Sequence, residues 1–129
     1  MPIDLDNIRI AVVDDDKMIL RVFSSLMSQA KLYADFFSNS SEAYKSISAH
    51  PTRYDLLITD IYMPEADGVE FAKKVREIMP DVPIMFMTGN ATEEKRATAL
   101  ALGRVEFLEK PFPIVDALRN MISRFLSET

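Results

Sequence analysis

Near its N-terminus the chain reads Ile8-Arg9-Ile10-Ala11-Val12-Val13-Asp14-Asp15, a mostly apolar run that ends abruptly in two acids. Three later apolar runs are each followed by a polar side chain: Asp60 after Leu56–Thr59, Thr88 after Ile84–Met87, and Lys110 after Val105–Leu108. In an open parallel sheet, ligands bind just outside the carboxyl ends of the strands. The pattern therefore predicts one crevice that collects three carboxylates, a hydroxyl and an ammonium group.

Short β-rich runs alternate with helical patterns five times along the chain. The predicted strands are Ile8–Val13, Leu32–Phe37, Leu56–Thr59, Val82–Met87 and Val105–Leu108. The predicted helices are Met18–Ala30, Ser40–Ala49, Val69–Met79, Thr92–Leu102 and Pro113–Leu126. Continuous apolar strands that alternate with helices indicate a parallel sheet covered on both faces. We therefore expect a single α/β domain over residues 1–129, built on a five-stranded, doubly wound sheet.

Composition narrows the range of functions. The chain has 129 residues and a formal net charge of −5, which argues against direct nucleic-acid binding because such binding needs Lys and Arg to neutralise phosphates. It has no Cys and one His, His50, so a Cys-ligated metal, a His-rich zinc site and a Ser-His-Asp triad are disfavoured. The sequence shows neither a transmembrane run nor a signal core. We expect a cytoplasmic protein that makes no membrane contact.

The acids of the predicted crevice need a cation beside them. Two carboxylates roughly 4 Å apart repel each other by about 4 kcal/mol at an effective dielectric constant of about 20. Mg²⁺ removes that repulsion, and it is typically bound by one or two carboxylates together with phosphate oxygens. Asp16 has a different interpretation, because it is suited to the N-cap of the first helix. Asp14, Asp15 and Asp60 therefore predict a site for Mg²⁺ and a phosphoryl group.

Taken together, the motifs of the crevice resemble the receiver domain of two-component response regulators. They are Val12-Val13-Asp14-Asp15, Asp60-Ile61-Tyr62-Met63-Pro64-Glu65-Ala66-Asp67-Gly68, Thr88-Gly89 and Lys110-Pro111-Phe112. Each motif alone is weakly specific, but their order and spacing match the family from about Ile8 to Phe125. The resemblance implies a stand-alone, chemotaxis-regulator-like receiver with a flavodoxin-like fold and the strand order 2-1-3-4-5.

The resemblance also implies how the acids act. Asp60 would be the phosphoacceptor, which takes a phosphoryl group from a phosphohistidine of a sensor histidine kinase or a phosphotransfer protein. The Mg²⁺ ligands would be Asp15, Asp60 and the backbone carbonyl of Tyr62, while Asp14 would act through water. The domain would catalyse only its own phosphorylation and dephosphorylation, so it is not expected to be an enzyme in the usual sense.

Further roles follow from the same resemblance. Thr88, Gly89 and Lys110 would bind the phosphoryl oxygens, and the bond before Pro111 would be cis. After phosphorylation, Thr88 would move inward and Phe107 would rotate into the space that it leaves. The readout would be the face formed by the fourth helix, fifth strand and fifth helix (α4-β5-α5). An unknown output partner would bind this face, and the domain would be a monomer or a weak, phosphorylation-dependent dimer.

Some positions vary in the family and are interpreted individually. Tyr62 and Asn90 border the phosphoryl group and are expected to modulate its hydrolysis, with the bulky Tyr62 shielding it from water. Asn90 has a second interpretation, because Asn90 and Glu93 have the spacing of a helix N-cap box. Arg104 replaces a usually small residue on the expected output face, where it would tune partner choice or pair with an acid.

Two apolar residues of the first helix also have two interpretations. Met18 and Val22 are candidates for docking a helical phosphodonor, and packing in the core explains them nearly as well.

Two other functions remain open. A phosphorelay intermediate would pass the phosphoryl group from Asp60 on to a second histidine, so it would differ in phosphate lifetime and partners. A Mg²⁺-dependent phosphatase with an Asp nucleophile would use the pair Asp14 and Asp16, and would turn over a generic phosphomonoester. The short chain counts against the phosphatase.

Overall fold

A computed structural model describes residues 4–63, 66–109 and 115–127. Its central sheet is made of five parallel strands, here β1 Arg9–Val13, β2 Tyr33–Phe37, β3 Leu56–Asp60, β4 Ile84–Thr88 and β5 Val105–Glu109. Their order in the sheet is β2-β1-β3-β4-β5, and every neighbouring pair is parallel. The predicted fold class and strand order are therefore confirmed.

Five α-helices cover the sheet, with two on one face and three on the other. They are α1 Lys17–Gln29, α2 Ser40–Ala49, α3 Gly68–Ile78, α4 Glu93–Leu100 and α5 Val115–Ser127. Phe23 of α1 and Ile122 of α5 belong to one buried cluster, whereas Ile47 of α2 and Val75 of α3 belong to the other. Successive strand residues point to opposite faces of a sheet. The two buried faces therefore explain why the strands read as continuous apolar runs.

The residues that begin the helices confirm one capping prediction and correct another. Asp16 is the N-cap of α1 and accepts a hydrogen bond from the Met18 N–H at 2.9 Å, while Asn39 caps α2. The Asn90 N-cap prediction is wrong, because the N-cap of α4 is Thr92. Thr92 has extended backbone angles directly before the helix, which lets its hydroxyl reach the N–H of Lys95 at 3.1 Å.

A short antiparallel hairpin that the sequence did not predict lies between β3 and α3. It pairs Tyr62–Met63 with Ala66–Asp67. Strands of two residues are too short to show a hydrophobic period, which is why the pattern misses them. The hairpin sets the path of the chain directly after Asp60.

The side chain of Arg104 forms a hydrogen bond with the main chain at the end of the sheet opposite the predicted crevice. Its backbone φ is 52°, and its Nη1 donates to the carbonyl of Asp81 at 2.8 Å rather than to an acidic side chain. Nearby, Arg76 donates to the carbonyls of Met79 and Gly103. Burial lowers the pKa of Arg76, the charge of Arg104 lowers it further, and Asp81 opposes the change. Of the two alternatives for Arg104, the structure shows a main-chain partner in place of an acidic side chain, and the tuning of partner choice stays a prediction.

Tyr54 provides a pH-dependent element of stability. The buried hydroxyl donates to Asp35 Oδ2 at 2.7 Å. Burial raises the pKa of Tyr54 above its ordinary 10.0; Asp35 raises it further, while Ser46 and Arg53 oppose the rise. Because the folded-state pKa is raised, the contribution of Tyr54 is complete below pH 10.0 and is lost as the pH rises through the folded-state value.

We expect the free energy of unfolding to fall less steeply in Tyr54→Phe than in the parent between about pH 9 and about pH 11.5. Urea denaturation across this range measures the two slopes. Tyr44→Phe, on α2, is the control and should keep the parental slope. Equal slopes in Tyr54→Phe and the parent would contradict the assignment.

Candidate functional site

Three acids meet at the carboxyl end of the sheet. Asp14 and Asp15 follow the last residue of β1, and Asp60 is the last residue of β3. Carboxylate oxygens of the three residues all lie within 4.8 Å of one another. Asp14 is fully buried, Asp60 is half-buried and Asp15 is exposed, so the cluster opens to solvent on one side. The structure thus brings together the three acids that the sequence predicted would meet.

Backbone N–H groups orient these acids. The Asp14 N–H donates to the carbonyl of Phe37 on β2 at 3.1 Å, which extends the strand pairing to the first acid. The Asp14 carboxylate in turn accepts from the Asp16 N–H at 2.9 Å. Asp60 Oδ1 accepts from the Tyr62 N–H at 3.1 Å. The directions of the Asp14 and Asp60 carboxylates are therefore set by the turns that follow their own strands.

The donor set suits a hard divalent cation. Carboxylates this close repel one another, and a cation bound between them offsets that repulsion. Oxygen ligands from carboxylates are those that Mg²⁺ prefers, and the open side of the cluster, at Asp15 and Asp60, leaves room for waters and phosphate oxygens. The residues at this end of the sheet therefore fit the magnesium ion that the sequence predicted.

Thr88 ends β4 beside the acids and carries a buried hydroxyl. The residue is 1% exposed, and its Oγ1 has no hydrogen-bond partner among the residues that the structure describes. A buried hydroxyl without a partner costs free energy, so its position favours a ligand or a movement that supplies one. Gly89 and Asn90 follow it on the exposed turn. Lys110 and Pro111 lie outside the described residues.

Phe107 lies on β5, at the boundary between the buried core and the protein surface. Its half-buried ring stacks on Phe86 of β4, with 6.2 Å between ring centroids and 29° between the planes. On its other side the guanidinium carbon of Arg96 lies 5.0 Å from the ring centroid. Arg96 Nη2 also contacts Glu109 Oε1 at 2.7 Å. The aromatic ring is thus held by a core contact and by a surface cation of α4.

Tyr62, which follows Asp60 by two residues, is 44% exposed and contacts α4. Its hydroxyl accepts a hydrogen bond from the Thr92 N–H at 3.4 Å. The ammonium of Lys95 lies 6.0 Å from the centroid of the Tyr62 ring and forms an ion pair with Asp67. Sequence reasoning missed Lys95 and the ion-pairing role of Asp67. The two are 28 positions apart, and no local pattern links residues at that separation.

Two apolar side chains of α1 are exposed. Met18 is 64% exposed and Val22 is 46% exposed, so packing in the core does not explain them. This result leaves the docking interpretation of the two positions as the one still open. His50, the single histidine of the sequence, is exposed at the C-cap of α2.

No helix within the described ranges has both the length and the apolar character needed to cross a bilayer.

Comparison with known proteins agrees with this architecture and site. A family model for the response regulator receiver domain matches residues 10–123. The chain is 36% identical over 118 residues to the response regulator receiver protein CpdR of Brucella abortus (strain 2308), which covers 92% of this chain and 96% of that protein. A solved structure of the chemotaxis protein CheY4 of Vibrio cholerae has a TM-score of 0.81 and 28% identity, and the match covers 92% of this chain and 98% of that one.

Other relatives are much longer than the matched region. Transcription factor SKN7 of Chaetomium thermophilum (strain DSM 1495 / CBS 144.50 / IMI 039719) is 35% identical over 92% of this chain, but the match covers only 15% of that protein. The similarity therefore concerns a module that occurs both in proteins of this size and within larger regulators. The chain belongs to the receiver-domain family of two-component response regulators.

Proposed function

We propose that the chain is a phosphorylation-dependent switch in which Asp60 accepts a phosphoryl group from a phosphohistidine in the presence of Mg²⁺. The observation that carries the proposal is the convergence of Asp14, Asp15 and Asp60 to within 4.8 Å at the carboxyl end of the sheet. The donor would be a sensor histidine kinase or a phosphotransfer protein, with Met18 and Val22 on α1 as its docking position. The domain would act as a cytoplasmic switch rather than as an enzyme with an external substrate.

The transfer forms one bond and breaks another. An oxygen of the Asp60 carboxylate bonds to phosphorus as the bond between phosphorus and the imidazole nitrogen breaks, and that electron pair stays on the nitrogen. Such transfers depend on positioning and charge neutralisation more than on covalent help from the protein. Mg²⁺ held by Asp15, Asp60 and the Tyr62 carbonyl, with Asp14 acting through water, would neutralise charge on the phosphoryl oxygens. Asp60 is held for attack by the Tyr62 N–H at 3.1 Å from Oδ1.

The phosphoryl group would then be read by the residues beside it. Lys110, Gly89 and the Thr88 hydroxyl would bind its oxygens, and the buried Thr88 Oγ1 would gain a partner that the described residues do not give it. An inward movement of Thr88 would leave space for Phe107, which would exchange its contact with Arg96 for a more buried position. The α4-β5-α5 face would change accordingly and bind an output partner.

Intact-mass analysis tests this function. After incubation with acetyl phosphate and Mg²⁺, we expect one phosphoryl adduct on the parent, little adduct without Mg²⁺, and none on Asp60→Asn. Asp81→Asn, which changes an acid at the opposite end of the sheet, is the control and should behave as the parent. An adduct that persists in Asp60→Asn would overturn the assignment of the acceptor.

The same preparation separates the other functions. Transfer of the phosphoryl group to a second histidine protein would favour a phosphorelay intermediate. Sustained turnover of a phosphomonoester such as p-nitrophenyl phosphate would favour a phosphatase.

A further inference from the structure

Helix α4 is attached to the domain mainly by polar contacts. Of its eight residues, Glu93 to Leu100, only Ala99 is buried. Two neighbouring cations hold the helix on two sides: Lys95 contacts the hairpin that follows Asp60, and Arg96 contacts β5. Because a single buried alanine contributes little apolar area, we expect these polar contacts to contribute to the position of α4.

Lys95 makes the contact with the hairpin. Its ammonium pairs with Asp67 and lies 6.0 Å from the centroid of the Tyr62 ring. The side chains of Lys95 and Asp67 are 30% and 33% exposed. Asp67 also caps α3 by accepting from the Val69 N–H at 2.8 Å, which holds its carboxylate in place. A partly buried pair with a fixed acid is screened less than an ordinary surface pair.

Tyr62 connects the same region to Asp60. Its N–H donates to Asp60 Oδ1 at 3.1 Å, and its hydroxyl accepts from the N–H of Thr92, the N-cap of α4, at 3.4 Å. One residue thus bonds to the carboxylate at one end and to the first turn of α4 at the other. We call the set formed by Tyr62, Asp67, Thr92 and Lys95 the α4 tether.

We propose that Lys95 is a positioning residue, which with Tyr62 ties α4 to the loop after Asp60 and holds the helix in place until an acyl phosphate forms. The proposal rests on the proposed function, because it takes Asp60 as the phosphoacceptor. Phosphorylation changes the charge and size of the group that the Tyr62 N–H bonds. A displacement of Tyr62 is passed to Thr92 through the tyrosine hydroxyl and weakens the contact with Lys95, which releases α4.

The chain offers a matched control for Lys95. Lys73 also pairs with a carboxylate, Glu70, at 3.1 Å, but both residues lie on α3 and their side chains are 45% and 66% exposed. Lys73→Met removes the same charge from an ion pair that lies within α3 and connects that helix to no other element. Lys95→Arg keeps the charge and tests whether a cation at this position is sufficient.

Amide hydrogen exchange of the unphosphorylated protein tests the tether directly. We expect the α4 amides to exchange about fivefold faster in Lys95→Met than in the parent, while Lys95→Arg stays near the parent and Lys73→Met is unchanged. Amides of β1 and β3 should be unaffected in every variant, which shows that the domain is folded. Equal α4 exchange in Lys95→Met and the parent would overturn the proposal.

A second arm tests the coupling to Asp60. With acetyl phosphate and Mg²⁺, we expect α4 exchange in the phosphorylated parent to rise towards that of Lys95→Met, and little further rise in Lys95→Met. A full adduct without any change in α4 would overturn the coupling. Absence of the adduct would instead overturn the proposed function, and the coupling with it. The exchange rates of the unphosphorylated proteins would still show whether Lys95 holds α4 in place.

Discussion

Gly68→Ala is expected to destabilise the domain by about 3 kcal/mol and to slow phosphoryl uptake by about 100-fold. A Cβ atom at Gly68 would lie 1.9 Å from the main-chain oxygen of Asp60 and 3.0 Å from the carbonyl carbons of Asp60 and Ile61. These neighbours are backbone atoms, so no side chain can rotate away to relieve the clash. The end of β3 and the start of α3 must move apart, and Asp60 moves with them. Urea denaturation and adduct formation from acetyl phosphate measure the two effects.

Gly103→Ala is the matched control for this substitution. Gly103 has a φ of 75°, and nothing lies within 4 Å of an added Cβ, so the variant should lose about 1 kcal/mol from backbone strain alone. Its phosphoryl uptake should equal that of the parent. If Gly68→Ala matched Gly103→Ala in both measurements, the close approach of α3 to β3 would not be what positions Asp60.

Asp14→Asn is expected to stabilise the metal-free domain and to weaken Mg²⁺ binding. Asp14 is fully buried, and its carboxylate lies within 4.8 Å of those of Asp15 and Asp60. An amide removes one charge from this cluster, for a gain of about 2 kcal/mol, and its oxygen can still accept from the Asp16 N–H. The Mg²⁺ affinity should fall by roughly 10- to 100-fold, because the cation loses a carboxylate partner.

Thermal unfolding with and without Mg²⁺ separates these opposite effects. Mg²⁺ that binds only the folded state stabilises it by an amount that grows as the Mg²⁺ concentration exceeds the Kd, so the parent should gain stability over a Mg²⁺ titration in which Asp14→Asn gains little. Glu77→Gln, which removes an exposed carboxylate of α3, should keep the parental response. A metal-free Asp14→Asn that unfolds at a lower temperature than the parent would show that repulsion among the acids does not strain the fold.

Much of the architecture follows from local sequence. Runs such as Ile10 to Val13 are apolar at every position because both faces of the sheet are covered, so a parallel sheet could be predicted without any contact information. The acids could also be placed together, since Asp14, Asp15 and Asp60 stand at strand ends that a parallel sheet brings to one edge. These features depend on positions close together in the chain and on a single rule of topology.

The attachment of α4 could not be predicted in this way. Thr92 rather than Asn90 caps the helix, because the path of the turn after Thr88 decides which of two suitable side chains precedes the first helical residue. The ion pair between Lys95 and Asp67 joins residues whose distance depends on how the hairpin folds. Such contacts leave no periodic signal, and they become visible only when the elements are assembled.

The separation of the core into two clusters has a consequence for how such a domain can diverge. Phe86, and Phe107 packed against it, belong to the cluster beneath α2, α3 and α4, whereas Phe23 and Met27 of α1 belong to the cluster on the other face. The main chain of the sheet separates the two clusters. Mutations that change how Phe86 and Phe107 respond to phosphorylation can therefore accumulate without disturbing the packing beneath Met18 and Val22. The surface around Phe107 and the surface around Met18 and Val22 are thus free to evolve at different rates.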